Sequence, residues 1–150
     1  MTTGDDWRAN RREAAQAHAD RLSRARAEQT ERARRMVEAF ATEATRLGMR
    51  TRPLLARPGE GPPTYRTALV GWYLNRDGSL GVTPDGGYYV LVSPSSLRAR
   101  FLGVTLEPTD PPLQVGAGGR DGESIALDVL LDLRLTAGDD WPVAGLDRDG

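Results

Sequence analysis

Cysteine and lysine are both absent from this sequence of 150 residues, and histidine and isoleucine occur once each, at His18 and Ile125. Without cysteine the chain forms no disulfide framework, no cysteine nucleophile and no thiolate metal site. No apolar run approaches the roughly 18 residues of a membrane-spanning helix. The first residues mix acids with arginines and lack the apolar stretch of a signal peptide, so we expect a cytoplasmic protein.

The basic residues, all 20 of them arginine, are unevenly distributed. Residues 1–35 contain nine arginines and six acids, residues 36–100 contain eight and five, and residues 101–150 contain three and ten. This gradient favours contact between the basic and acidic parts, within one chain or head to tail between copies, or a basic face turned to an anionic partner. A chain of this length is expected to form one domain with one modest core.

One long helix is predicted at the N-terminus, because residues 8–47 contain neither proline nor glycine and are rich in alanine, arginine and glutamate. It should begin after Asp5 or Asp6. Gly48 is typical of a left-handed C-terminal cap, with Met49 placed for the hydrophobic contact that often accompanies one. An apolar stripe at helical spacing anchors the second half to the core; it consists of Met36, Val37, Phe40, Ala44 and Leu47.

The first half of this helix, residues 1–35, is predicted to be a projecting polar arm, because residues 8–35 offer only alanines and Leu22 as apolar material. Side-chain pairs four residues apart, such as Glu28 with Arg32, can support such a helix in solvent. Three interpretations stay open: a solvated helix, self-association or docking of another helix through the alanines, and an RNA or membrane role. Membrane attachment requires a face of large apolar residues opposite the basic face, and this helix lacks one.

Residues 65–93 are predicted to form a three-stranded antiparallel meander. Apolar residues occupy alternate positions in three segments, and two turn sequences, NRDG at 75–78 and PDGG at 84–87, separate these segments. A short strand before it, interrupted by Pro53, belongs at the sheet edge. Pairing Trp72 with Val82 and Val82 with Tyr88 places the alternating apolar residues of all three strands on the same face of the sheet. The inner face then contains Ala68, Val70, Trp72, Leu74, Leu80, Val82, Tyr88, Val90 and Val92.

The opposite face of the meander is more apolar than a solvated sheet face usually is. Either a second element covers it or it is an interface, and its candidate interface residues are Leu69, Tyr73, Tyr89 and Leu91. Stacking of bases on the two tyrosines is a weaker alternative, since no basic residues interleave with them.

After the meander we expect a short helix from Ser93 to Gly103, an extended segment over 104–115 and a final helix over 122–136 with Asp121 as its N-cap. The final helix is apolar over most of its circumference, which indicates contacts on two sides. Its candidate interface residues are Leu127, Leu131 and Leu135. Residues 137–150 are predicted to form a disordered acidic tail unless Trp141 docks.

The glycine-rich loop at 116–124 is a candidate anion site, with Gly118, Gly119 and Arg120 as its binding residues. It lacks the lysine and hydroxyl of a P-loop, and the neighbouring acids would repel an anion. A capping turn before the final helix is the competing interpretation.

No catalytic or metal-binding constellation is visible in the sequence. His18 lies on the polar arm with no carboxylates at metal spacing, and Asp128 and Asp132, one turn apart, are typical of a solvated helix strip. We therefore predict a non-enzymatic protein with no catalytic residues, no metal and no cofactor.

The run GWYLNRDGSLGVTPDGGYYVLVSPSSLRARFLGV, together with GAGGRDGES, resembles small uncharacterised proteins of high-GC actinobacteria, and this resemblance covers residues 36–136. It implies a bacterial cytoplasmic protein and transfers no functional residues.

The predicted architecture is an α+β fold: a long N-terminal helix, a three- to four-stranded antiparallel meander, a short helix, and a C-terminal helix packed on the sheet. Residues 36–136 would form its single domain. The expected function is a protein-protein interaction or adaptor module that forms a homo-oligomer, a dimer or higher, or binds a protein partner. The alternative is binding of a nucleotide, another phosphate ligand or RNA through the arginine-rich helix or the glycine-rich loop. A nucleic-acid partner is not expected from the near-neutral net charge of −1.

Overall fold

The computed structural model describes residues 3–58, 64–93, 102–116, 123–144 and 146. Two helices and two antiparallel sheets make up this part of the chain, so the expected α+β fold is confirmed. In chain order the elements are α1 (Thr3–Arg46), β1 (Arg52–Pro53), β2 (Val70–Tyr73), β3 (Leu80–Val82), β4 (Tyr88–Val90), β5 (Gln114–Gly116), β6 (Ser124–Ala126) and α2 (Leu127–Ala137).

The first sheet has the strand order β1-β2-β3-β4, and all its neighbouring strands are antiparallel. Trp72 lies opposite Val82, and Val82 lies opposite Tyr88, which is the register that the alternation of apolar residues predicted. Strand β1, with Pro53 in it, is the edge strand, where a residue without an N–H leaves no ladder donor missing.

Helix α1 packs one stripe of its C-terminal half on the sheet. The buried residues of this stripe are Ala33, Val37, Phe40, Ala41 and Ala44. At its end Gly48 has φ +69°, and the Met49 N–H donates to the Ala44 carbonyl at 3.0 Å, which is the cap that the sequence predicted. The placement of Leu47 in the stripe was wrong: the chain reverses at Gly48, Met49 is buried, and Leu47 is 51% exposed.

The second face of the first sheet is covered by the chain itself. After β1, the Leu54 N–H donates to the Leu69 carbonyl, and Arg57 then forms a parallel bridge with Val92 at the opposite edge of the sheet. Residues 54–57 therefore cross the face that carries Tyr73 and Leu91. A Cβ on Gly81 would lie 2.8 Å from Leu54 Cδ1, so the glycine makes the room in which Leu54 packs.

The Trp72 face is buried only at its centre. Phe40 of α1 meets Trp72 edge to face, with ring centroids 5.8 Å apart and an interplanar angle of 87°. The residues expected to extend this core at its ends, Ala68, Val70, Val90 and Val92, are exposed. Alternation identified their face correctly, but a single helix does not cover the whole width of that face.

The final helix begins later than expected. Ser124–Ala126 form β6, which pairs with β5 and buries Val115, and α2 starts only at Leu127. Asp121 is therefore not its N-cap: the residue before the helix is Ala126, in an extended conformation and without a side-chain cap. Pairing with β5 provides hydrogen-bond partners for the backbone N–H and C=O groups of residues 124–126. The sequence had placed these residues in the first turns of a helix over 122–136.

Residues 137–144, expected in the disordered tail unless Trp141 docks, lie against the core. Trp141 is 9% exposed and Val143 is 1% exposed, and the Ala144 N–H donates to the Arg76 carbonyl at 2.7 Å. The guanidinium groups of Arg76 and Arg134 lie over the Trp141 ring, at 5.1 and 5.4 Å from its centroid. The helix expected between Ser93 and Gly103 falls almost entirely outside the described residues.

In the turn between β2 and β3, the buried Asn75 side chain takes the place of a backbone hydrogen-bond partner. Its Oδ1 accepts hydrogen bonds from the N–H groups of Ser79 and Leu80, and its Nδ2 donates to Ser79 Oγ. We expect Asn75→Ala to lower the free energy of unfolding by about 1 to 3 kcal/mol, since the buried Leu80 N–H loses its acceptor.

Urea denaturation measures this difference. The matched control is Asn10→Ala on the exposed part of α1, where alanine favours the helix and stability should not fall. Equal stabilities of the two variants would contradict the role of the Asn75 amide.

Candidate functional site: the projecting segment of α1 and the α1–α2 groove

The N-terminal part of α1 projects from the domain. Every residue from 3 to 29, here called the projecting segment, is exposed, and at 1.5 Å per residue the segment is about 40 Å long. Burial starts at Ala33, slightly earlier than the boundary at residue 35 that the sequence suggested. Two large apolar side chains, Trp7 at 58% and Leu22 at 46% exposed, face solvent on it. The Arg11 guanidinium lies 4.4 Å from the Trp7 ring centroid, and more than half of the Trp7 surface still faces solvent. The segment therefore presents exposed apolar surface.

A groove of about 410 Å³ lies between α1 and α2. Its apolar floor is formed by Met36, Phe40, Leu131 and Leu135, and its rim carries the carboxylates of Glu43, Asp128 and Asp132. Such a combination of apolar floor and acidic rim suits a helix that offers small or apolar residues flanked by arginines.

The electrostatic character of the groove is acidic. Glu43 accepts two hydrogen bonds from Arg46, which hold the pKa of its carboxyl below its usual range. Within the described chain, no ion pair joins an arginine to Asp128 or Asp132. The two aspartates therefore leave a net negative rim beside the floor.

The projecting segment and the groove share one face of α1. Because about 3.6 residues make one turn, residues 18 apart, or about five turns, lie on one line along the helix. Trp7, Ala25 and Glu43 are spaced in this way, and Leu22 and Met36 lie within about 60° of the same line. A single stripe of α1 thus contributes to the groove at one end and exposes Trp7 at the other.

The structure places the seven predicted interface residues in different surroundings. Tyr73, Leu91 and Leu127 are at most 1% exposed within one chain, so they are core residues and not an interface. The expectation failed for the two sheet residues because residues 54–57 cover their face. Leu69 and Tyr89 are partly buried, whereas Leu131 and Leu135 line the groove. The predicted anion-binding residues Gly118, Gly119 and Arg120 lie outside the described residues.

The described residues contain no group of three His, Asp or Glu side chains that could hold a metal ion. His18 is exposed on the projecting segment, and Asp128 and Asp132 stand on the groove rim. Among the described helices, none has the length and apolarity needed to cross a bilayer.

Sequence reasoning missed two buried arginines. Arg57 is 5% and Arg134 is 6% exposed, although arginine is seldom buried without a partner. A signal for Arg134 was present, since it stands among leucines on the most apolar helix of the chain. Nothing in the pattern around Arg57 distinguished it from a surface arginine.

Comparison with protein-family models, with curated proteins and with solved structures found no match to this chain. No relative therefore indicates what the groove or the projecting segment does.

Proposed function

We propose that this protein is a non-enzymatic interaction module that self-associates through α1, with the projecting segment of one copy lying in the groove of a second copy. The observation that carries the proposal is the shared stripe of α1, which has the groove at one end and exposed Trp7 and Leu22 at the other. Each copy then offers both halves of the contact.

A second copy, and not the same chain, is the occupant of the groove. The projecting segment continues the helix that forms one wall of the groove, so it cannot reach its own groove without a break in α1. Charge favours the pairing as well. Arg8, Arg11 and Arg12 flank or follow Trp7, whereas Asp128 and Asp132 stand on the rim.

In an antiparallel pair of α1 helices, the projecting segment of each copy lies in the groove of the other. If the two Ala25 residues meet at a two-fold axis, Trp7 of each copy comes opposite Glu43 of the other, next to the apolar floor. Each favourable contact is then made twice. Alanine at the crossing point lets the helix backbones approach closely, at the lower end of the usual 8 to 10 Å between helix axes.

The test compares two substitutions on opposite faces of the projecting segment. We expect the wild-type chain to sediment as a dimer, and Ala25→Arg to weaken dimerisation by at least about tenfold, because two like charges would meet at the axis. Ala27→Arg is the matched control. Residue 27 lies about 160° around the helix from the proposed contact line, so this variant should dimerise as the wild type does.

Sedimentation velocity over a range of protein concentrations measures both effects. A wild-type chain that stays monomeric at every concentration would refute the proposal, as would an equal loss of dimer in the two variants. Circular dichroism at 222 nm serves to verify that both variants retain the long helix.

The absence of cysteine allows a direct test of the register. A single Ala25→Cys substitution should form a disulfide-linked dimer on mild oxidation, because a disulfide needs Cβ atoms within about 3.5 to 4.5 Å of each other. Ala27→Cys should remain monomeric on a non-reducing gel under the same conditions. The reverse pattern would place the contact on the opposite face of α1.

A further inference from the structure

A second cleft, of about 290 Å³, lies at the other end of α2 and contains three arginines and one acid. Arg50 and Arg52 come from the segment that follows α1, Arg134 comes from α2, and Asp139 follows α2. Tyr73 and Trp141 provide aromatic walls. None of the residues that line this cleft lines the α1–α2 groove, so the two sites can be tested separately.

Arg134 is held rigidly at the cleft. Its Nε donates to the Tyr73 carbonyl at 2.7 Å, and its Nη1 donates to the Gly138 carbonyl at 2.5 Å. Burial lowers the pKa of its guanidinium to about 10, although the nearby carboxylate of Asp139 opposes this effect. A cation kept in a fixed, poorly solvated position is suited to bind an anion, because little side-chain freedom remains to be lost on binding.

Among the described residues that line the cleft, one carboxylate stands beside three arginines. Asp139 accepts hydrogen bonds from the backbone N–H and the Nε of Arg50, and the backbone bond in particular holds the pKa of this carboxyl below its usual range. These three arginines and Asp139 together carry a formal charge of +2.

A fourth arginine adds to this excess from behind the cleft wall. The side chains of Arg57 and Val143 both pack beside Gly78, and Val143 lines the cleft. Among the described residues, no group accepts a hydrogen bond from its buried Nε or Nη2, and its Nη1 lies 3.5 Å from the Ala144 carbonyl. Burial raises the pKa of Tyr73, while the charges of Arg52 and Arg57 oppose that rise, which places both arginines within electrostatic reach of the phenol.

We propose that the cleft lined by Arg50, Arg52 and Arg134 binds a tetrahedral dianion, either inorganic phosphate or the phosphate group of a small monoester. A dianion matches the formal charge of these described lining residues, and a carboxylate matches half of it. Guanidinium groups bind phosphate oxygens with paired, charge-assisted hydrogen bonds. The volume suits a small ligand and not a nucleic-acid strand.

The test titrates the full-length protein with inorganic phosphate at constant ionic strength, with sodium chloride as the replaced salt. Calorimetry should detect saturable binding, and phosphate should raise the melting temperature, because a ligand that binds only the folded state stabilises it. Arg52→Gln and Arg50→Gln should each weaken phosphate binding by about tenfold. The matched control is Arg46→Gln, an exposed arginine of α1 outside the cleft, which should change the affinity by less than about twofold.

Two further ligands decide what the site accepts. Binding of methyl phosphate tighter than that of inorganic phosphate would support the monoester form of the proposal, and the opposite order would support free phosphate. Acetate bound as tightly as phosphate would overturn the assignment to a dianion. Binding that does not saturate would indicate a general effect of ionic strength. An equal loss of phosphate affinity in Arg50→Gln, Arg52→Gln and Arg46→Gln would indicate the same, and either result would overturn the proposal. The Ala25→Arg variant should bind phosphate as the wild type does, which separates this site from self-association.

Discussion

Gly71→Ala is expected to destabilise the fold by about 3 kcal/mol or more, a large fraction of the 5 to 15 kcal/mol that is typical of a domain. Gly71 lies in β2 between β1 and β3, and a Cβ at this position would be 2.1 Å from the Val82 carbonyl oxygen and 3.0 Å from Thr83 Cα. These are backbone atoms, so no change of rotamer relieves the clash. The strands would have to separate where Trp72 pairs with Val82.

The physical origin of this sensitivity is the close approach of two strand backbones. A Cβ normally stands away from the sheet and does not meet the carbonyl of a neighbouring strand. Gly71 is therefore a position where the backbone of β3 comes too near for a side chain, as glycines inside strands often are.

Thermal and urea denaturation measure the effect, and a fall in melting temperature of about 10 °C corresponds to the expected loss for a chain of this size. The matched control is Gly116→Ala in β5, where a Cβ would meet no atom of the described residues within 4 Å. That variant should be neutral or slightly stabilised, because alanine restricts the unfolded chain more than glycine does. A Gly71→Ala protein as stable as the control would refute the close approach of β2 and β3.

Phe40→Ala is expected to cost about 3 to 5 kcal/mol, the range found when a buried phenylalanine is truncated. Phe40 is 2% exposed and contacts Trp72 edge to face, so its ring joins α1 to the centre of the sheet. Its loss would remove the aromatic pair and leave a cavity that the rigid helix and sheet cannot close.

Leu47→Ala is the control in the same helix, because Leu47 is 51% exposed and its truncation should change stability by less than about 0.5 kcal/mol. Urea denaturation of the two variants distinguishes the observed packing from the stripe that the sequence predicted, in which both residues would be core. Similar losses for Phe40→Ala and Leu47→Ala would favour the predicted stripe.

The local structure of this chain could be predicted where one short-range rule applies. The Gly48 cap, the edge position of Pro53 and the pairing of Trp72, Val82 and Tyr88 all follow from backbone stereochemistry and from the alternation of side chains along a strand. None of them depends on distant parts of the chain.

The candidate site was predicted only in part. Leu131 and Leu135 were expected at an interface, and they line the groove, but the acidic rim and the stripe shared with Trp7 emerge only when α1 and α2 are placed side by side. The arginine cleft was not predicted, because its residues come from three distant parts of the sequence: Arg50 with Arg52, Tyr73, and Arg134.

By itself the sequence determined the long helix, the meander and its register, and the lack of cysteine that makes single-cysteine crosslinking possible. Only the tertiary structure decided which apolar face is covered, since residues 54–57 occupy the sheet face that the pattern alone left open as an interface. The physical reason is that periodicity assigns a residue to a face, whereas burial depends on which distant segment packs against that face. The same reason explains why Arg57, which no local pattern distinguishes from a surface arginine, is buried.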